Sequence, residues 1–526
     1  MAKIEIYKQK LLVVNGTPAE LEKIRTLPKY WDLPSGDAVA VPWTYEDSAW
    51  LTAMGYPSIS PMPLQYDFPC PPNWTAMRHQ IRIADFLIRN RRGYCLAGTG
   101  TGKTASVLWA VDYLWQLGHI KRVLVCCPLS VMLDAWGPTV PKLFFTRHAV
   151  ATIRGAPEKK RRLATSDTFI HVINPDALEG VHTELMNNNY DAIVIDESTM
   201  IKNKQTNRWA LMKPLVDRAT WSWQLTGTPC PQGPLDAYGQ LAMFNRFEVV
   251  DGRHMSFKYW QIATQIQLNK FKWVNKHDWQ QTVARYMWPA IRINTRDCID
   301  LPPRTDNRRW IALTKYQEAA IKALIKDQNI RLGGKEVTAP NRAVLMNKLA
   351  QICCGAVLDK DGEPVELQPT RRLEECNYIM GQAEGKVLIF VPFRAAVQTV
   401  AEYLRKQGWK VATVDGSTPV GQRQAIFDKL QVPGREDIDG LVAVPQCMSH
   451  GVTLTEADNV IWYAPAPSNE VYLQANARME RNGQCRSMTV TELWSHPREK
   501  ELYDVIAGRE KGQLTLLDIC NNLLRG

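Results

Sequence analysis

Downstream of residue 73, short unbroken apolar runs alternate with longer mixed segments. The first series is Tyr94-Cys95-Leu96, Val123 to Cys127, Phe169 to Ile173, Ala192 to Ile195 and Ser222 to Leu225. A strand covered on both faces reads as a continuous apolar run, so each predicts a buried parallel strand, and the intervals are long enough for crossover helices. A second series follows at Lys386 to Val391, Val411 to Val414, Leu441 to Val444 and Val460 to Tyr463. The pattern predicts an α/β protein with two doubly wound parallel-sheet lobes. The expected organisation is a first lobe over 71–300 with a helical protrusion at about 232–290. A second lobe over 301–526 carries a helical insertion at about 305–380. Residues 1–70 read differently: Ile4 to Tyr7 and Leu11 to Val14 pair as strands, and a helix opens at Thr17-Pro18 with Glu20 in its first turn. This small α+β unit precedes a proline-rich linker (Pro57, Pro61, Pro63, Pro69, Pro71, Pro72) and reads equally as a recognition module or a docked extension.

Composition narrows the class. The 526 residues are 45% hydrophobic and 22% charged, the profile of a globular protein of several domains. A net charge of +11 favours a polyanionic partner such as nucleic acid. Twelve cysteines include the adjacent pairs Cys126-Cys127 and Cys353-Cys354 but no zinc-type spacing, which predicts reduced, mostly buried thiols. No N-terminal signal pattern and no run approaching about 18 apolar residues is present, so a cytoplasmic protein without membrane contact is expected.

Chemistry concentrates between Gly93 and Val107. The strand at Tyr94 enters Ala97-Gly98-Thr99-Gly100-Thr101-Gly102-Lys103-Thr104, and a helical pattern follows. Glycines let backbone N–H groups curl around phosphates while the following helix presents its positive end, so a phosphate-binding loop for a nucleoside triphosphate is expected. Gly100, Thr101 and Gly102 shape the cradle, Lys103 neutralises phosphate oxygens, and Thr104 supplies a hydroxyl to Mg²⁺. Ala97 stands where the generic pattern has Gly. Asp196-Glu197 follows the strand Ile193-Val194-Ile195, at the sheet end where such folds bind ligands. Asp196 is expected to hold Mg²⁺ and Glu197 to orient the attacking water, because phosphoryl transfer depends on positioning and charge stabilisation.

Gln80, the phosphate loop, Asp196-Glu197-Ser198-Thr199 and Thr226-Gly227-Thr228 occur in the order of the superfamily-two helicases and translocases. With Ile201-Lys202-Asn203 after the acids, the chain resembles the Swi/Snf-type ATPases, over about residues 73–515. The resemblance implies two RecA-like lobes and a DNA-stimulated ATPase. It implies adenine sensing by Gln80, and contacts to DNA phosphates by Ser130 and by Gly416, Ser417 and Thr418. Gln474 to Gln484 resembles the family's final motif, in which Arg478 and Arg481 are the arginine fingers. Arginines three apart share a helical face, so both are expected to enter one cleft. Gly451 is implied at the nucleotide. Met448-Ser449-His450 before it and Thr453 after it depart from the commonest pattern and are closer in style to the annealing, fork-remodelling branch.

The resemblance implies that the hydrolysis site is complete only when the lobes close, so ATP turnover drives steps along double-stranded or branched DNA, with single strands a further ligand. A strand-separating helicase is the competing reading, although no wedge is identifiable in the sequence. A motor subunit of a defence complex also fits. The patch Trp260, Lys270, Lys272, Trp273, Lys276, His277 and Trp279 reads equally as core or as a surface that stacks on bases. Lys159 to Arg162 reads as a solvated helix face. The partner of residues 1–70 is not legible.

Overall fold

Seven strands, parallel throughout, make the sheet of the first unit. Their order is Ala290–Ile293, Arg92–Ala97, Trp221–Leu225, Ala192–Asp196, Val123–Cys126, Ile170–Ile173 and Val150–Ile153. The four strands Val123–Cys126, Ile170–Ile173, Ala192–Asp196 and Trp221–Leu225 are buried at every position, as continuous apolar runs require. The computed structural model describes residues 3–56, 60–144, 147–246, 255–298, 300–367, 370–448 and 452–525. Contacts divide the chain into two units, Met1–Pro229 with Ala237–Asn294 and Leu517–Gly526, and Cys230–Asp236 with Thr295–Leu516.

The second unit holds a six-stranded parallel sheet ordered Arg304–Trp310, Met488–Trp494, Ala457–Trp462, Lys386–Phe390, Gly440–Ala443 and Val411–Val414. Both sheets are the doubly wound type that the apolar runs predict. Arg304–Trp310 lies at the edge of its sheet, and its alternating exposure leaves no apolar run to read. The stretches read as helical carry three β-hairpins beside their helices, at Gln265–Asn275, Asn329–Thr338 and Ala356–Glu366. Their strands are three to five residues long, too short to set up a visible alternation.

At the N-terminus, four antiparallel strands are ordered Lys3–Tyr7, Leu11–Asn15, Ala38–Pro42 and Trp31–Asp32. Leu12, Val14, Val39 and Val41 share a core with Leu21, Ile24 and Leu51 of the helices Pro18–Ile24 and Tyr45–Ala53. Thr17 and Glu20 cap the first helix reciprocally. The proline-rich stretch lies against helix Lys103–Gln116: Trp109 Nε1 donates to the Pro69 carbonyl at 3.0 Å, Trp74 stacks on Trp109, and the Tyr66 hydroxyl donates to buried Asp112.

Helix Ala237–Met243 crosses the segment after Asp196-Glu197 at contact distance. A Cβ on Gly239 would stand 2.3 Å from the Ile201 carbonyl oxygen and 2.4 Å from that of Lys202. Both are backbone atoms that cannot swing away. Gly239→Ala is therefore expected to destabilise the first unit by roughly 1–3 kcal/mol, the usual cost of overpacking, read as a lowered calorimetric midpoint.

Candidate nucleotide site

The phosphate loop leaves strand Arg92–Ala97 and ends at Gly102, the N-cap of helix Lys103–Gln116. Gly100 and Gly102 have φ of 79° and 80°, the left-handed region that a Cβ disfavours. Gly102 is also held by space: a Cβ there would lie 2.1 Å from Gln80 Nε2. Lys103 Nζ donates to the loop's own carbonyls, Ala97 at 2.9 Å and Gly98 at 3.1 Å. The Thr101 hydroxyl donates to Gly98 at 2.8 Å, and Thr104 sits half-buried in the first helical turn.

Gln80 is buried near the start of helix Arg78–Arg89. Its Oε1 accepts from the Met77 N–H at 3.0 Å and its Nε2 donates to the Thr101 carbonyl at 3.3 Å. His79 Nε2 lies 2.9 Å from the same carbonyl, donating in its Nε2–H tautomer. The helix start is thus tied to the phosphate loop by two adjacent side chains. Of these the sequence singled out only Gln80.

Asp196 closes strand Ala192–Asp196 and is 4% exposed. Its Oδ2 accepts from Trp136 Nε1 at 2.9 Å and its Oδ1 from the Glu197 N–H at 3.0 Å. Burial pushes its pKa up, opposed by the Lys103 charge and by the Trp136 donor. Glu197 has φ 52°, left-handed for a residue with a side chain, at the sharp turn from strand to 3₁₀ helix Ser198–Ile201. Such backbone strain persists where the surroundings enforce it, commonly at functional sites. Here a buried chain enforces it: the Ser198 hydroxyl donates to Gln240 Oε1 at 2.8 Å, and Gln240 Nε2 donates to the Pro229 carbonyl at 2.6 Å. That carbonyl ends the Thr226-Gly227-Thr228 turn. A Cβ on Gly227 would meet Ala97 O at 3.3 Å and Gly98 Cα at 3.4 Å, so the turn abuts the phosphate loop.

Trp136, the donor to Asp196 Oδ2, lies six residues after Ser130. In the structure it is fully buried at the end of a one-turn π-helix, Met132–Trp136, a distortion that recurs at functional sites. Its partner Asp196 lies 60 residues away, a separation at which no sequence spacing signals contact. Ser130 lies on the adjoining helix Leu129–Val131.

In the second unit, helix Asn469–Asn476 ends before Arg478, so the two arginines sit on a turn and do not share a helical face. The Arg478 carbonyl accepts from the Leu454 N–H at 2.8 Å and is withdrawn from any helical ladder. Arg478, 1% exposed, donates through Nε to the Gln474 carbonyl at 2.9 Å and through Nη1 to that of Val452 at 3.3 Å. Arg481 Nη1 donates to Thr453 Oγ1 at 2.8 Å, and burial lowers the guanidinium pKa to about 10. The two side chains converge on the segment after Gly451. Gly451, with Ser449 and His450, lies outside the described residues.

Gly416 and Ser417 are exposed and Thr418 is half-buried. Asp415 organises them: its Oδ1 accepts from the Ser417 N–H at 2.8 Å and the Ser417 hydroxyl at 2.6 Å, and its own N–H donates to Thr418 Oγ1 at 3.0 Å. The Ser417 bonds hold the Asp415 carboxyl below its usual range, with Arg394 helping. Arg423 Nε donates to the Thr418 carbonyl at 2.8 Å from beneath the turn.

The profile of the SNF2-related domain matches residues 79–357, more than half of the chain. The chain belongs to the SNF2-related family. The helicase conserved C-terminal domain matches residues 371–483, and with this pair of domains the protein is an ATP-hydrolysing enzyme. Relatives include a "putative protein p41" of Acyrthosiphon pisum secondary endosymbiont phage 1, 26% identical over 55% of this chain and 65% of that protein. A "probable global transactivator" of Orgyia pseudotsugata multicapsid polyhedrosis virus is 25% identical over 81% of this chain and 88% of its own. The Xenopus tropicalis SWI/SNF-related matrix-associated actin-dependent regulator of chromatin subfamily A-like protein 1 is 25% identical over 75% of this chain. The chain spans 40% of that frog protein, under two thirds of its length, as it does of the phage protein. The Sulfolobus solfataricus SWI2/SNF2 ATPase core in complex with dsDNA aligns with a TM-score of 0.41 at 20% identity, over 87% of this chain and 96% of that one. Among the described residues no helix is long and apolar enough to cross a membrane.

Proposed function

We propose that this SNF2-related enzyme is a translocase that couples ATP hydrolysis to movement on double-stranded DNA and remodels forks or branched junctions. The observation that carries the reading is the adjacency of three strands, Arg92–Ala97, Trp221–Leu225 and Ala192–Asp196. Their ends set the phosphate loop, the Thr226 turn and Asp196-Glu197 side by side. Lys103 neutralises the transferred phosphate, and Glu197 orients and polarises water. Arg478 and Arg481 are the arginines assigned to the developing phosphoryl charge. The oxygen donors Thr104 and Asp196 suit Mg²⁺, and burial of the Asp196 carboxylate leaves a charge that a cation offsets. When bound, the ion neutralises phosphate charge.

DNA as the polymer is supported by the net charge of +11 and by the exposed Gly416-Ser417 turn, whose form suits contact with phosphates irrespective of sequence. The expected result is that duplex or forked DNA accelerates ATP turnover, and that the acceleration falls steeply between low and physiological salt as counterion release weakens. Turnover is to be measured without nucleic acid and with single strands, duplex and a model fork. Stimulation by single strands alone would replace this reading with a strand-tracking helicase. A rate indifferent to every DNA would overturn it.

A further inference from the structure

The motor reading leaves one feature of the first unit unused. Strands Gln265–Asn269 and Lys272–Asn275 form a hairpin whose two-residue turn is Lys270-Phe271. Phe271 is 89% exposed, and Leu268 and Ile266 are 57% and 51% exposed. A two-stranded hairpin is marginal by itself, so one that displays apolar side chains needs support from elsewhere. Its base supplies this. Thr264 and Trp260 are fully buried, the Thr264 hydroxyl donates to the Trp260 carbonyl at 2.8 Å, and the Lys276 N–H donates to the Thr264 carbonyl at 2.9 Å. Trp260 meets Tyr286 edge to face. At the other end, Asn269 Oδ1 accepts from the N–H groups of Phe271 at 3.0 Å and Lys272 at 2.9 Å, which fixes the turn. The tryptophan patch therefore divides: Trp260 and Trp279 are core, whereas Trp273, with Lys258 4.5 Å above its ring, stays half-exposed on the hairpin.

Charge selects the occupant. Lys258, Lys270, Lys272 and Lys276 lie between Met255 and His277, and that stretch contains no carboxylate. Lysine is depleted from the centres of protein–protein interfaces, whereas an aromatic ring among cations matches a ligand with flat apolar faces and an anionic backbone. Resting on the motor reading above, we infer that this hairpin is a pin that stacks Phe271 on an unpaired base where duplex DNA opens, with the lysines on the flanking phosphates. The pin gives the motor a preference for junctions over plain duplex.

The test uses the full chain, a fork with 2-aminopurine at the first unpaired position, and a duplex of equal length. Wild type is expected to change the 2-aminopurine fluorescence and to bind the fork more tightly than the duplex. Phe271→Ala is expected to weaken fork binding about tenfold and abolish the fluorescence change, a loss in the range of one base–aromatic stack. Duplex affinity and duplex-stimulated turnover should stay as in wild type, and Phe271→Trp should restore the fork preference. Unaltered fork affinity and fluorescence in Phe271→Ala, with turnover still DNA-stimulated, would overturn the pin and leave the motor standing. Turnover indifferent to DNA in the wild type would overturn both. Unaltered DNA binding with loss of self-association in sedimentation would assign the hairpin to contacts between copies of the chain.

Discussion

Glu197→Gln is expected to retain ATP binding and lose turnover, by about 10²- to 10⁴-fold, the range that a positioned general base contributes. Both oxygens of neighbouring Asp196 already accept hydrogen bonds, from Trp136 and from the Glu197 backbone, which suits Asp196 to a fixed electrostatic role. Glu197 is itself left-handed, φ 52°, at the turn that leaves the strand. Glutamine keeps shape and length and removes the basic oxygen. The change therefore tests the chemistry without emptying space, and the thermal midpoint should move little. Phosphate release and binding of a fluorescent ATP analogue separate the two effects. Turnover within tenfold of wild type would remove Glu197 from the role of base.

Trp136→Phe is expected to cost roughly 1.5–3 kcal/mol, about 10- to 150-fold in turnover, because a buried carboxylate loses a neutral donor that the apolar ring cannot replace. The loss should depend on pH. Burial already raises the Asp196 pKa above its ordinary 3.8, and removing the indole N–H raises it further. The ionised form is the one that suits a cation, so the acid limb of the pH–rate profile should move to higher pH and the deficit should narrow in alkali. Stability carries the opposite sign. A carboxyl whose folded pKa is raised opposes folding increasingly as pH climbs from 3.8 through the folded value, so the variant should lose stability over that interval faster than wild type. A parallel loss at every pH would show that the ring matters only as packing.

What the sequence disclosed follows contiguity. The phosphate loop, Asp196-Glu197 and the Thr226 turn are each short local strings, and the apolar runs around them are buried strands, so their place at the end of a parallel sheet was readable. The Trp136–Asp196 bond was not, since its partners meet only through folding. Nor was the fit of Gln80 against Gly102, which local loop geometry does not announce. One edge strand escaped for a different reason: Arg304–Trp310 carries no unbroken apolar run. The arginine spacing was read as helical because three residues is a helical interval. The Leu454 N–H instead captures the Arg478 carbonyl, and the chain turns there.

The order of the seven strands also governs how such a unit can diverge. The three strands that bear the chemistry are consecutive, and further strands flank them on both sides. A replacement among them disturbs two neighbours and the reacting groups together, whereas one in Val150–Ile153 disturbs a single pairing at the rim. Tolerance in an exhaustive substitution survey should therefore rise outward from Trp221–Leu225, so that lineages of this enzyme drift at the margins of the sheet while its middle stands still.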